Sequence, residues 1–139
     1  LYRDSDSQNK AGSKAAAKDL DNIFDENTIL VQRTLRSGQN ISYDGNIVIL
    51  GDVNPGAEVV ATGDVIVMGS LRGVVHAGAT GDTKSVVVAL KLLPTQLRIA
   101  NHITRAPDGE TSPGLDAEMA SLKDGVVTIE AFQSERLHK

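Results

Sequence analysis

Four sets of residues in this 139-residue chain have types and spacing that could do chemistry. The first is the stretch AGATGDTKS, residues 77 to 85. It places Gly78, Lys84 and Ser85 where a phosphate-binding G-x-x-x-x-G-K-[ST] loop has its first glycine, its lysine and its hydroxyl. The sixth motif position, which must be glycine for backbone N–H groups to close round phosphate, is Thr83, and Asp82 brings a negative charge into an anion site. The residues that follow, VVVAL, are β-branched and strand-like, where the motif requires a helix. The second set is His76, His102 and His138, none of which has a Cys, His or carboxylate at ligand spacing. A histidine-dependent acyltransferase on a hexapeptide solenoid would need six-residue repeats, and only Leu50-Gly51 starts one. The third is the carboxylates Asp44, Asp52, Glu58 and Asp64, which have no partner positioned to share a proton. The fourth is LRSGQNI, residues 35 to 41. Here Arg36 offers a forked donor, Ser37 a hydroxyl and Gln39 an amide around Gly38, which makes a hydrogen-bonding patch and not a catalytic set. No enzyme activity, metal or cofactor is expected.

These residues must be carried by strands. From Gly45 to Gly81 the nineteen odd positions carry no polar side chain, while the even positions include Asn46, Asp52, Asn54, Glu58, Asp64, Arg72 and His76. Strict alternation is the strand period, with the odd residues facing inward. A run this long must bend repeatedly, since strands rarely exceed about ten residues. Gly45, Gly63 and Gly81 are spaced 18 apart, as are Gly51 and Gly69. Superposing residues 45–62 on 63–80 aligns Ala61 with Ala79 and Thr62 with Thr80. Eighteen residues accommodate three short sides with a corner after each, and an even repeat returns the same face inward on every coil. The pattern predicts an all-β parallel β-solenoid with stacked coils about 4.8 Å apart. An antiparallel sandwich or barrel would share the short strands but does not require a fixed spacing.

The inward phase is expected to run through Ala77, Ala79 and Gly81. It should then slip, so that Val86, Val88, Leu90 and Leu92 carry the apolar parity of a third coil. AGATGDTKS is expected to be the corner where the slip occurs, with Lys84 at the surface. Residues 105 to 118 read as a Pro/Gly-rich loop. Residues 119 to 132 read as two capping strands around the turn Lys123-Asp124-Gly125. Residues 1 to 27 are polar and read as a linker or tail, with a short helix behind Ser13 bearing Leu20, Ile23 and Phe24. The solenoid domain is thus 28–139, with its coils over about 34–104.

Even positions are polar with pointed exceptions. Val48 and Ile66, and Leu50 and Met68, are apolar, outward and 18 apart. An apolar ladder on a polar surface marks an interface, and Val48, Leu50, Ile66 and Met68 are the expected homodimer contact. The net charge of −4 and the lack of a Lys/Arg run argue against nucleic acid. There is no cysteine, no apolar run of membrane-span length and no signal-peptide pattern, which fits a reducing compartment and no direct membrane insertion. Asn40-Ile41-Ser42 matches a glycosylation acceptor and is set aside on the same ground.

In their order along the chain, LRSGQ, GDVNPGAEVVATGDVIVMGSLRG and AGATGD resemble the C-terminal domain of the MinC family of bacterial septum-site inhibitors, from about Thr34 to Ile103. LKDGVVTIEAF resembles that domain's closing strands. The resemblance implies a right-handed β-helix of triangular section that dimerises through one face. It implies a cytoplasmic adaptor, recruited to the inner face of the membrane by the ATP-bound MinD ATPase, with an auxiliary contact to FtsZ. The family's RSGQ motif at the MinD contact carries over to Arg36, Ser37, Gly38 and Gln39, and its GAE glycine to Gly56. Many members carry a basic residue directly after LRG, where this chain has Val74. Residues 1 to 27 would be the interdomain linker, and the chain, which starts at Leu1, a fragment without the family's N-terminal domain. The alternative is a bactofilin-like solenoid that self-assembles end to end.

Overall fold

The computed structural model describes residues 27–104 and 116–132. The helix expected behind Ser13 and most of the loop expected at 105–118 lie outside the described residues.

Short β-branched runs bounded by glycine, asparagine and aspartate set the strands. One parallel side stacks β1 (Thr28–Val31), β3 (Asn46–Ile49), β5 (Val65–Leu71) and β7 (Val87–Leu92). A second stacks β2 (Asn40–Tyr43), β4 (Glu58–Ala61), β6 (Val74–Ala77) and β8 (Gln96–Ile99). The third side is a parallel column of single residues, Leu35 with Val53, Val53 with Leu71, and Leu71 with Leu92. Three sides per turn make the triangular solenoid, and the first coils pair residues 18 apart, such as Thr28 with Asn46 and Asn40 with Glu58.

Parallel stacking at an even repeat places like on like. Ile47, Val65 and Val87 form one inward column, and Ile41, Val59, Val75 and Leu97 another; all are 0–3% exposed. The interior is narrow, and small or branched aliphatic side chains fill it. Among the described residues, the half-buried Tyr43 is the one aromatic side chain packed against the core cluster. Such closely fitted columns tolerate little change in volume.

The outward carboxylates and amides tie successive coils together. Thr34 Oγ1 accepts from the Asp52 amide at 3.1 Å, and Asp52 Oδ1 accepts from the Ser70 amide at 2.8 Å. At another corner, Asn46 Oδ1 accepts from the Asp64 amide at 2.7 Å, and Asp64 Oδ1 from the Val86 amide at 2.9 Å. Asp44 Oδ1 accepts from the Thr62 hydroxyl at 2.8 Å. Four of these bonds satisfy backbone N–H groups and the fifth the Thr62 hydroxyl, so that Asp44, Asp52 and Asp64 serve here as acceptors between coils.

The chain then reverses. β9 (His102–Thr104) runs antiparallel to β8, and β10 (Glu118–Lys123) antiparallel to β7 and to β11 (Val126–Ala131). Asp124 (φ 55) and Gly125 (φ 78) make the two-residue hairpin turn between β10 and β11, and both have the positive φ that such a turn needs. Ala120 of β10 is fully buried against the last coil.

Two expectations about phase are corrected. Val60 pairs with His76, an offset of 16, so Ala61 does not stack in register on Ala79. The cause is a shortened corner: Asn54–Ala57 in one coil is replaced by Arg72-Gly73 in the next. The second concerns the third coil. Gly81 is exposed and Ala79 half-buried, so the inward run ends at Ala77. Beyond the loop, Val87 and Ala89 are fully buried, while Val86 and Val88 are half-buried and Leu90 is 44% exposed. The pairing of Val65 with Val87 has an offset of 22, an even number, so the loop lengthens the coil without changing parity. The slip falls within the strands instead. Val67 pairs with Ala89 but Ser70 with Lys91, so β5 carries one extra residue as a bulge at Met68-Gly69. That single residue brings Leu92 inward, the one member of the expected set that is buried in the core.

Candidate partner-docking surface

The corner between the Leu35 column and the second sheet gathers the sequence-predicted binding residues. Gln39 N donates to Arg36 O at 2.9 Å across a β-turn, and Gly38 at its third position has φ 89. One coil on, Ala57 N donates to Asn54 O at 3.0 Å, with Pro55 and Gly56 (φ 90) at the centre. Both turns have the type II form, in which the third residue needs positive φ and proline suits the second. The turns are clamped together: Gly38 N donates to Gly56 O at 2.9 Å, Asn54 N to Leu35 O at 3.0 Å and Glu58 N to Gln39 O at 3.1 Å. The φ of 90 is what requires glycine at position 56, and a Cβ there would also crowd Ser37. Arg36, Ser37, Gly38 and Gln39 are therefore brought together, with Gly56 as the support beneath them.

The corner is rich in donors and poor in acceptors. Arg36 N donates to Gln39 Oε1 at 2.8 Å, which consumes the amide oxygen and aims the Gln39 –NH₂ outward. A shallow depression beside the turn is lined by Arg33, Thr34, Arg36 and Gln39. The Arg33 and Arg36 side chains are exposed and form no ion pair among the described residues. Such a surface offers guanidinium forks and an amide to carboxylates or carbonyls. Arg33 was not singled out in the sequence. It is a charged residue at an odd position just before the run whose inward phase Ser37 and Gln39 break, and that interruption marks a corner.

The other candidates are placed elsewhere. His76 Nε2 lies 2.9 Å from Ala100 O, bonded to backbone on the outer side of the second sheet. Among the described residues no group of His, Cys, Asp and Glu could hold a metal ion. AGATGDTKS joins β6 to β7, so a strand follows it, and Asp82 Oδ1 occupies the Lys84 amide at 2.9 Å. Lys84 is exposed and Ser85 buried, as a corner requires and a phosphate cradle does not. Val74, in the position following LRG, is a half-buried strand residue between Glu58 and Gln96. Val48 and Ile66 are paired on the outer face of the first sheet, and Leu50 (43% exposed) and Met68 (49%) lie beyond them toward the next corner.

The comparisons with known proteins agree with this architecture. Residues 29–132 match the family model described as "Septum formation inhibitor MinC, C-terminal domain". The chain is 63% identical over 108 residues to the "Probable septum site-determining protein MinC" of Heliobacterium modesticaldum, covering 78% of this chain and 37% of that protein. It is 50% identical over 110 residues to the protein of the same description from Clostridium novyi, covering 79% and 52%. The chain thus spans about half the length of these relatives, or less. Among solved structures it is similar to a chain of the "MinC:MinD cell division protein complex" of Aquifex aeolicus, with a TM-score of 0.71 and 40% identity over 80% of this chain and 92% of that one. With the solenoid, its ordered corner motifs and the family match over the same residues, this chain belongs to the family of MinC C-terminal domains.

Proposed function

We propose that this chain is a non-enzymatic adaptor of bacterial division-site selection. It forms a homodimer through Val48, Leu50, Ile66 and Met68 and docks onto ATP-bound MinD at the membrane through the corner of Arg36, Ser37, Gly38, Gln39 and Gly56. An auxiliary contact with FtsZ completes the block on septum formation at wrong sites. The observation that carries the reading is the clamped pair of type II turns, which presents donors with no catalytic partner. The similarity to a chain of a MinC:MinD complex supports MinD as the partner.

The mechanism is differential binding: a ligand that favours one nucleotide state of MinD reports and stabilises that state. Nucleotide belongs to the partner, and this chain supplies rigid geometry. Localisation is cytoplasmic, at the inner membrane face through MinD. Among the described residues no helix is long and apolar enough to cross a membrane. The end-to-end scaffold reading is disfavoured by β9 and β10, whose antiparallel pairing breaks the parallel register at the C-terminal end of the stack.

Arg36→Ala is expected to weaken binding to ATP-loaded MinD by about tenfold or more, as loss of a charge-assisted anchor does. Its circular dichroism and melting temperature should match wild type, because the side chain is exposed and the turn is closed by backbone. Unchanged affinity in surface plasmon resonance would remove Arg36 from the contact.

A further inference from the structure

We propose that Arg33 is a second anchor of the docking corner, and that it and Arg36 together grip a pair of carboxylates on the partner's surface. The inference rests on the docking reading above and names the chemistry that reading lacks. Arg33 follows β1 at the corner before the Leu35 column, and it lines the same depression as Arg36, Thr34 and Gln39. The positions stacked on Arg33 in the next two coils are Gly51 and Gly69, so neither brings a side chain over its guanidinium. Three of the polar oxygens nearby already accept backbone hydrogen bonds: Thr34 Oγ1 from the Asp52 amide, Asp52 Oδ1 from the Ser70 amide and Gln39 Oε1 from the Arg36 amide. Neither guanidinium has an ion-pair partner among the described residues.

Two cations without an ion-pair partner among the described residues line one depression, on a chain whose net charge is −4. An acidic surface is therefore repelled by the molecule as a whole and attracted at this corner, which orients the encounter as well as holding the complex. Guanidinium forks match carboxylates in two-point geometry. Two cations are too few to track a polyphosphate backbone, whose binding scales with the number of phosphates neutralised.

The test measures binding to ATP-loaded MinD for wild type, Arg33→Glu, Arg36→Ala and Lys84→Glu. Lys84 is exposed on the loop between β6 and β7, a different corner, and its reversal makes the same change in net charge. Arg33→Glu is expected to weaken binding by about tenfold or more at low salt, with the loss shrinking as ionic strength rises, while Lys84→Glu stays within about twofold of wild type. Melting temperatures should agree across the set. If Arg36→Ala weakens binding and Arg33→Glu behaves like Lys84→Glu, the inference is wrong and the docking reading stands. If neither arginine variant weakens binding, the docking reading itself falls. Binding of wild type to anionic phosphatidylglycerol vesicles without MinD, lost in Arg33→Glu, would assign the pair to lipid headgroups and also overturn the proposal.

Discussion

Ile66→Asp is expected to convert a dimer into a folded monomer. Pairing across the first sheet aligns Leu30, Val48, Ile66, Val88 and Met119 on its outward side, with Ile66 in the middle. Beside this column, Leu50, Met68 and Leu90 are 43%, 49% and 44% exposed. A continuous apolar strip of this kind on a surface otherwise lined by polar ladders is the proposed dimer contact. Aspartate at its centre faces water in the monomer, where it costs little. In a symmetric interface it brings two carboxylates into an apolar contact with no cation to meet them. Burying such charges unpaired raises the dimer dissociation constant by about a thousandfold or more. Sedimentation equilibrium should give the 14.7 kDa chain mass for the variant and twice that for wild type, with equal melting profiles when extrapolated to low concentration. A variant that keeps the dimer mass would place the contact on another side of the solenoid.

Gly69→Ala is expected to lose stability through close contact alone. Its backbone φ is ordinary, so conformational freedom is not the issue. A Cβ there would collide with the carbonyl oxygen of Gly51 and with Asp52 Oδ1 in the coil below. Neither can retreat. A Cβ on Gly51 would itself stand 2.7 Å from Arg33 O, and Asp52 Oδ1 holds the Ser70 amide. Overpacking against fixed backbone costs about 3 kcal/mol, which lowers the melting temperature of a domain this size by roughly 10 °C. Gly38→Ala is the informative contrast. There a Cβ meets nothing within 4 Å, and only the φ of 89 opposes it, so the cost is about 1 kcal/mol. Thermal denaturation of the two variants separates the two reasons a solenoid uses glycine. Equal losses would show that stacking contact is not what holds position 69.

The same glycines explain what was legible beforehand. A solenoid repeats its neighbours every coil, so the crowding of Gly69 on Gly51 leaves an 18-residue signature that can be read without coordinates. The alternation from Gly45 onward is equally direct, since an even repeat keeps one parity inward through Ala77. Changes of length at corners were hidden. Arg72-Gly73 replaces the four-residue turn Asn54–Ala57, yet Gly81 still falls 18 after Gly63 by sequence alone. The spacing therefore suggested an unbroken register where two residues are missing. The bulge at Met68-Gly69 was hidden too, because an extra residue inside a strand leaves no turn residue behind and appears only when the partner strand is known. At the docking corner, Arg36 to Gln39 stood out as a break in alternation. The clamp onto Gly56 O and the exposure of Arg33 depend on how one coil sits on another.

The central claim is that this solenoid reads the nucleotide state of MinD through the Arg36 corner. Vesicle co-sedimentation with MinD in ATP and in ADP, using wild type and Arg36→Ala, tests it most directly. Wild type should pellet with MinD and vesicles in ATP and remain in the supernatant in ADP, and Arg36→Ala should remain in the supernatant in both. Equal pelleting of wild type and Arg36→Ala in ATP would contradict the account.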